Sequence, residues 1–285
     1  MQKVDVYQIV TDRVIEALEA GVVPWRKPWS SGTPSNLVSR KAYRGINAFL
    51  LSLSRFSTPY WLSYKQAQSL GGCVRKGEKG TPVVFWNWVE KVNEASGKVE
   101  KIPFLRYYTV FNAEQCEGLT LPASETSKGE FSPIEEAEKV FPAYVNGPTL
   151  AHGGNSAHYV PARDHVQMPA RESFDRPENY YHTLFHELIH STGHDSRLKR
   201  AGIAEIAAFG SQTYAKEELV AEMGAAFLSA KVGIKNTLPQ TASYVQGWLK
   251  ALRNDRKLVV HAAAAAQKAC DRVLPSDSQA EETAD

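Results

Sequence analysis

The stretch His186-Glu187-Leu188-Ile189-His190 decides how this chain of 285 residues is read. On a helix, histidines four positions apart project from one face, so both imidazoles can bind the same metal ion. Glu187 lies beside the first histidine and can reach a water on that ion, where a carboxylate acts as general base. The flanks fit a helix. Tyr180, Tyr181, Leu184 and Phe185 supply apolar residues at helical spacing ahead of the motif, and Gly193 stands where a C-terminal cap is expected. Composition alone rarely produces such a pattern, so two structural histidines on an apolar helix are the weaker reading.

A hydrolytic site of this kind needs a third protein ligand and one open position. In the extended HExxHxxGxxH pattern the third ligand falls at position 196, which is Ser196, so that variant is excluded. The other solution is a glutamate on a following helix. Lys216-Glu217-Glu218-Leu219-Val220-Ala221-Glu222-Met223 reads as such a helix, with Glu218 and Glu222 on one face. Carboxylates on an apolar helix are costly to bury without a metal or a partner. Glu218 is assigned as ligand and Glu222 as the acceptor behind a ligand histidine, while Glu217 and Glu222 stay open as alternative ligands. His194 and Asp195 fit either a supporting place behind the ligands or a capping role in the turn. Two imidazoles and a carboxylate suit zinc best, with manganese or cobalt as substitutes.

Charge divides the chain. Residues 1–125 carry 16 Lys/Arg against 11 Asp/Glu, a net of +5, and the remainder carries 17 against 20, a net of −3. Residues 22–85 hold ten basic residues and one acid, Glu78. Such density is an electrostatic footprint for phosphate backbones. Aromatics are interleaved with it. Trp25 and Trp29 flank Arg26 and Lys27, Tyr43 sits between Lys41 and Arg44, and Tyr64 precedes Lys65. Cations along a backbone and ring faces for exposed bases are what single-stranded nucleic acid requires; a duplex offers few free bases. Arg40, Lys41, Arg44, Arg75, Lys76 and Lys79 are the candidates for backbone contact, and about half of the aromatics are expected in the core. A chain with this basic segment cannot imitate DNA with an acidic surface.

Three scattered cysteines, Cys73, Cys116 and Cys270, argue against a disulfide framework and for a reducing, cytoplasmic setting. The first residues read as an amphipathic helix rather than a leader, and no apolar run is long enough to span a membrane. The pattern predicts an α+β protein of two domains, 1–120 and 134–274, joined by a linker at 121–133 and followed by an acidic, disordered tail at 275–285. Helices are expected at 4–20, 48–54, 64–70 and near 134–141, and a long hairpin at 81–92 and 102–112. One strand is expected at 157–161, then the two motif helices, a Trp-bearing helix at 241–254 and an alanine-rich one at 258–273.

Both halves together resemble the ArdC antirestriction family of conjugative plasmids. The resemblance runs through Pro24-Trp25, Pro28-Trp29, Tyr43-Arg44-Gly45-Ile46-Asn47, Val74 to Gly80 and Val110-Phe111-Asn112, then His186 to His194 and Glu217 to Glu222. The N-terminal half is also similar to the region preceding the catalytic part of some conjugative primases. The resemblance implies an N-terminal α+β domain with an aromatic-rich hairpin that binds single-stranded DNA, and a mainly helical, zincin-like metallopeptidase domain. It further implies protection of incoming plasmid DNA.

Two readings follow. In the first, a zinc peptidase brought to DNA cuts a nearby protein, a host restriction component among the possible substrates, with Tyr214 a candidate for stabilising the oxyanion. In the second, the DNA domain does the protecting and the zinc domain is a structural or recognition module with little turnover. A nuclease is disfavoured, because the basic half lacks clustered carboxylates.

Overall fold

The computed structural model describes residues 5–20, 34–54, 56, 58–92, 99–122, 133–204, 212–234 and 242–275. The expected linker core and the tail lie outside them. Helix α1, Val6–Glu19, starts at Asp5, whose carboxylate accepts the backbone N–H groups of Tyr7 and Gln8 at 3.1 and 3.3 Å. Its buried stripe is Val6, Val10, Val14 and Leu18. The stripe packs on the last two helices, α8 (Ala242–Asn254) and α9 (Leu258–Val273), so the first element of the chain joins the core of the last.

The N-terminal sheet has the order β1-β2-β5-β4, built from Ser35–Asn36, Tyr60–Ser63, Thr81–Val92 (β4) and Val99–Asn112 (β5). The hairpin β4–β5 pairs from Thr81 opposite Val110 to Val92 opposite Val99, as its β-branched and aromatic runs imply. It begins its return strand three residues earlier than the sequence pattern indicates. One face of the sheet buries Trp61 and Val83 with Val110, against Leu51 of α2, Gly45–Ser52. The other buries Leu62 with Leu37, Ala67 of α3 (Tyr64–Ser69) and Ala113. A small ribbon of β3 (Cys73–Val74) and β6 (Cys116–Glu117) completes this half.

Strand β4 is a sheet edge, and it is covered. The Asn47 side chain bonds both the N–H and the C=O of Val84, at 2.6 and 2.7 Å, acting as a one-residue strand. Pro82 has the same outward parity and carries no N–H to expose.

In the C-terminal half, α4 (Pro133–Ala143) precedes a three-stranded sheet of order β7-β9-β8: Thr149–His152, His165–Met168 and His158–Val160. The sequence reading placed one strand here; two more are present. Four-residue strands are shorter than a periodicity test resolves, although His165-Val166-Gln167-Met168 does alternate, with Val166 and Met168 buried. Helix α5 (Pro177–Ser191) packs on the sheet, and α7 (Gln212–Lys231), preceded by the short α6 (Ala201–Ala204), packs on α5. A Cβ on Gly224 would stand 2.8 Å from Ile189, so α5 and α7 approach closely there because that residue has no side chain. The alanine face of α9, with Ala262, Ala263, Ala266 and Ala269 buried, lets the same pair settle onto it. Among the described residues no helix is long and apolar enough to cross a membrane.

The motif Tyr43-Arg44-Gly45-Ile46-Asn47 joins the halves. Arg44 pairs with Asp271 of α9, and Gly45, at φ +54°, donates its N–H to Gln267 of the same helix at 2.9 Å. Arg44, named with the candidates for DNA-backbone contact, is exposed and also has an acid partner within the protein.

Candidate metal centre

Helix α5 starts with Pro177, whose fixed φ suits a first turn and whose missing N–H costs nothing there. Three turns later the helix presents His186 and His190, and α7 presents Glu218 across the cleft at the Gly224 contact. The three donors lie within 4.8 Å of one another. The Nε2 atoms of the two histidines are 3.0 Å apart, and the Glu218 oxygens stand 3.4 Å from that of His190 and 3.6 Å from that of His186. A tetrahedral ion with bonds of about 2.0–2.1 Å separates its ligands by about 3.3–3.4 Å, so the spacing fits one such ion.

The far sides of the imidazoles agree. His190 Nδ1 meets Glu217 at 3.3 Å, and His186 Nδ1 meets Glu222 at 3.6 Å. A carboxylate only accepts, so His190 Nδ1 carries a proton toward Glu217, Glu222 stands near His186 Nδ1, and each Nε2 is the nitrogen turned to the centre. Glu217 is itself held by Arg200, whose Nε and Nη2 donate to its two oxygens at 2.9 and 2.6 Å. Arg200 also donates to the Ile189 carbonyl at 2.8 Å and to Thr192 Oγ1 at 2.6 Å, tying the end of α5 to α7. Two glycines make room for this arrangement. A Cβ at Gly202 would meet Glu217 at 2.9 Å, and one at Gly193 would meet Ile203 at 2.7 Å. Gly193 therefore serves a close approach rather than the left-handed cap expected of it; the cap residue is Thr192, at φ −62°.

The electrostatics favour a cation. Burial lowers the pKa of His190, but Glu217 and Glu218 outweigh it and push it up to about 10. His186 is also raised, burial opposing and Glu218 prevailing. Glu218 moves the other way: burial raises it, and the two imidazoles hold it well below the usual carboxylate range. Glu222 Oε2 is buried and has no hydrogen-bond partner among the described residues. Glu187 is buried beside His186. Tyr214 shares a helix face with Glu218 and Glu222, one turn before the first.

Other expectations divide. Glu217, left open as a ligand, is engaged by Arg200 and His190. His194 accepts from the backbone N–H of Ser196 and shares its ring nitrogen with the Ser196 hydroxyl at 2.8 Å, which is the turn role and not a place behind the ligands. Arg200 went unnoticed because no spacing rule connects it to the motif; its signal was the buried Glu217, which needs a cation. Arg40, Lys41, Tyr64, Lys65, Arg75, Lys76 and Lys79 are exposed, with Arg40 over the Tyr60 ring at 5.2 Å and Arg75 paired to Glu78 at 2.9 Å. Tyr43 is half-buried against the Trp61 cluster. Trp25, Arg26, Lys27 and Trp29 lie outside the described residues.

A model of the N-terminal domain of the anti-restriction factor ArdC matches residues 4–111, and a zincin-like metallopeptidase model matches 135–265. The crystal structure of the antirestriction protein ArdC from plasmid R388, metal-free, superposes with a TM-score of 0.78 at 39% identity, over 95% of this chain and 97% of that one. The chain belongs to the ArdC antirestriction family. An Mn(II)-bound structure of the R388 ArdC is equally similar, at 40% identity and a TM-score of 0.78. An uncharacterised protein, y4eC, of Sinorhizobium fredii (strain NBRC 101917 / NGR234) is 37% identical over 97% of this chain and 94% of its own length. A DNA primase TraC of Escherichia coli is 40% identical over 94% of this chain, but the chain spans only 27% of that protein. ArdC-type sequence is thus found both as a protein of this size and as part of a much longer one.

Proposed function

We propose that this protein is an antirestriction factor that binds single-stranded DNA without sequence preference and carries a metal-dependent peptidase site. The observation that supports it most is the convergence of His186, His190 and Glu218 beside Glu187. His186, His190 and Glu218 would hold one divalent ion, zinc by donor chemistry. When bound, that ion supplies Lewis-acid polarisation of a peptide carbonyl and lowers the pKa of a water toward about 7. Glu187 takes the proton from the water and returns it to the leaving amine. Glu217, Glu222 and Arg200 keep the imidazoles aligned, and Tyr214 is placed to assist at the developing oxyanion. The exposed cations Arg40, Lys41, Lys65, Arg75, Lys76 and Lys79 contact the DNA backbone, so the peptidase acts on proteins that meet the incoming strand, restriction enzymes among them.

The test is on purified protein. Proteolysis of an unfolded protein substrate with zinc and single-stranded DNA is compared with that by Glu187→Gln. Cleavage by the first alone supports the reading. Equal zinc content with no cleavage by either protein would leave the domain as a structural module and overturn the enzymatic half.

A further inference from the structure

The deep core beneath the sheet does not account for one group of aromatics. Opposed residues of an antiparallel pair share a face, so Phe85, Arg106, Val83 and Tyr108 lie on one side of the hairpin. Val83 is buried with Trp61 and Leu51, but burial stops at its own partner across the strands and at the next residue on the same face: Tyr108, opposite Val83, is 51% exposed and Phe85 is 47% exposed. The two rings meet edge to face at 6.1 Å. Cross-strand packing explains that contact and leaves both residues about half exposed, with Arg106, also exposed, opposite Phe85 in the strand register. Two exposed aromatics in contact on one strand face make a contiguous apolar surface rather than scattered exposed residues.

What the surface binds follows from its surroundings. The turn that carries Lys76 and Lys79, both exposed, runs directly into β4. Phe85 lies six residues beyond Lys79, about 20 Å along an extended strand. Cations at one end and flat ring faces with a guanidinium at the other match a sugar-phosphate backbone whose bases are unpaired. We propose that Phe85, Tyr108 and Arg106 form a base-stacking platform for single-stranded DNA, a surface separate from the basic loops. This rests on the DNA-binding half of the reading above. A duplex keeps its bases stacked on each other, and an apolar protein partner has no use for the adjacent lysines.

The test is fluorescence anisotropy of a labelled oligothymidylate, titrated with the full chain and its variants over a range of salt, after checking that each variant melts like the parent. Phe85→Ala and Tyr108→Ala are each expected to weaken binding by about tenfold while leaving the salt dependence unchanged, because a ring carries no charge. Tyr108→Phe, which keeps the ring, is expected to retain affinity. Lys76→Gln with Lys79→Gln should instead flatten the salt dependence. If the parent binds and the alanine variants bind equally well, the platform is wrong and the basic loops suffice. If the parent does not bind, the DNA half of the proposed function fails with it. Loss of protection in conjugation with unaltered oligonucleotide binding also overturns the platform and marks the face as a protein-docking one.

Discussion

Arg200 sits ten residues beyond His190 in sequence and one side chain away from it in space, through Glu217. A ligand histidine whose far nitrogen is held presents its near nitrogen at a fixed angle; one that is free to rotate does not. Replacing Arg200 by Ala leaves Glu217 buried without its cation and His190 poorly held. The expected result is roughly a 10–100-fold loss of zinc affinity, read by competition with a chromophoric chelator. Arg200→Lys, which keeps the charge but not the fork that bonds both oxygens, should fall between. Unchanged affinity in a folded Arg200→Ala protein would remove the residue from this role. The candidate centre was legible because His186, Glu187 and His190 obey helix spacing and Glu218 lies on an acid-rich helix that follows. Arg200 was not, because its relation to the site exists only once the segment after α5 folds back between the end of α5 and α7.

At the scale of elements, Arg197 carries the loop after α5 onto the C-terminal sheet. Its side chain is almost wholly buried and bonds Asp164 in the turn between β8 and β9, with Nη1 to Oδ2 at 2.8 Å, while Tyr159 donates its hydroxyl to Asp164 at 2.9 Å. Burial raises the pKa of Asp164, but the bonds from Arg197 and Tyr159 outweigh it and hold the carboxyl below its ordinary range. A depressed folded-state pKa contributes stability that is present above the unfolded value of about 4 and is lost as pH falls through the folded one. Asp164→Asn tolerates the same left-handed backbone, at φ +46°, and removes the charge together with one of the two accepting oxygens. Melting curves should show the variant less stable at neutral pH and the two proteins converging below about pH 4; an equal gap at every pH would contradict this.

The elements also show where sequence patterns run out. The hairpin, α5, α7, α8 and α9 were legible because each is long enough to repeat its apolar period. Strands β7 and β9 were not, being four residues each, and Asn47's cover of the hairpin edge is a side-chain contact that no period records.

In the whole molecule the two halves are not independent beads. Helix α1 packs on α8 and α9, and Arg44 and Gly45 bond α9, which in turn contacts α5 and α7. The charge division was legible from composition. The contact between the halves was not, because Arg44 carries the same charge whether it faces phosphate or Asp271. A protein at +2 overall with such a basic segment cannot imitate DNA, so the proposed function leaves two routes to protection, coating the DNA and cutting a protein that attacks it. Transfer of a plasmid encoding Glu187→Gln into a restricting recipient, beside the parent plasmid, separates these, once the variant is shown to fold, bind metal and bind single-stranded DNA. If hydrolysis at the centre is the function, protection disappears with that one carboxylate. Protection equal to the parent's would show that occupying the DNA is sufficient and would contradict the peptidase reading.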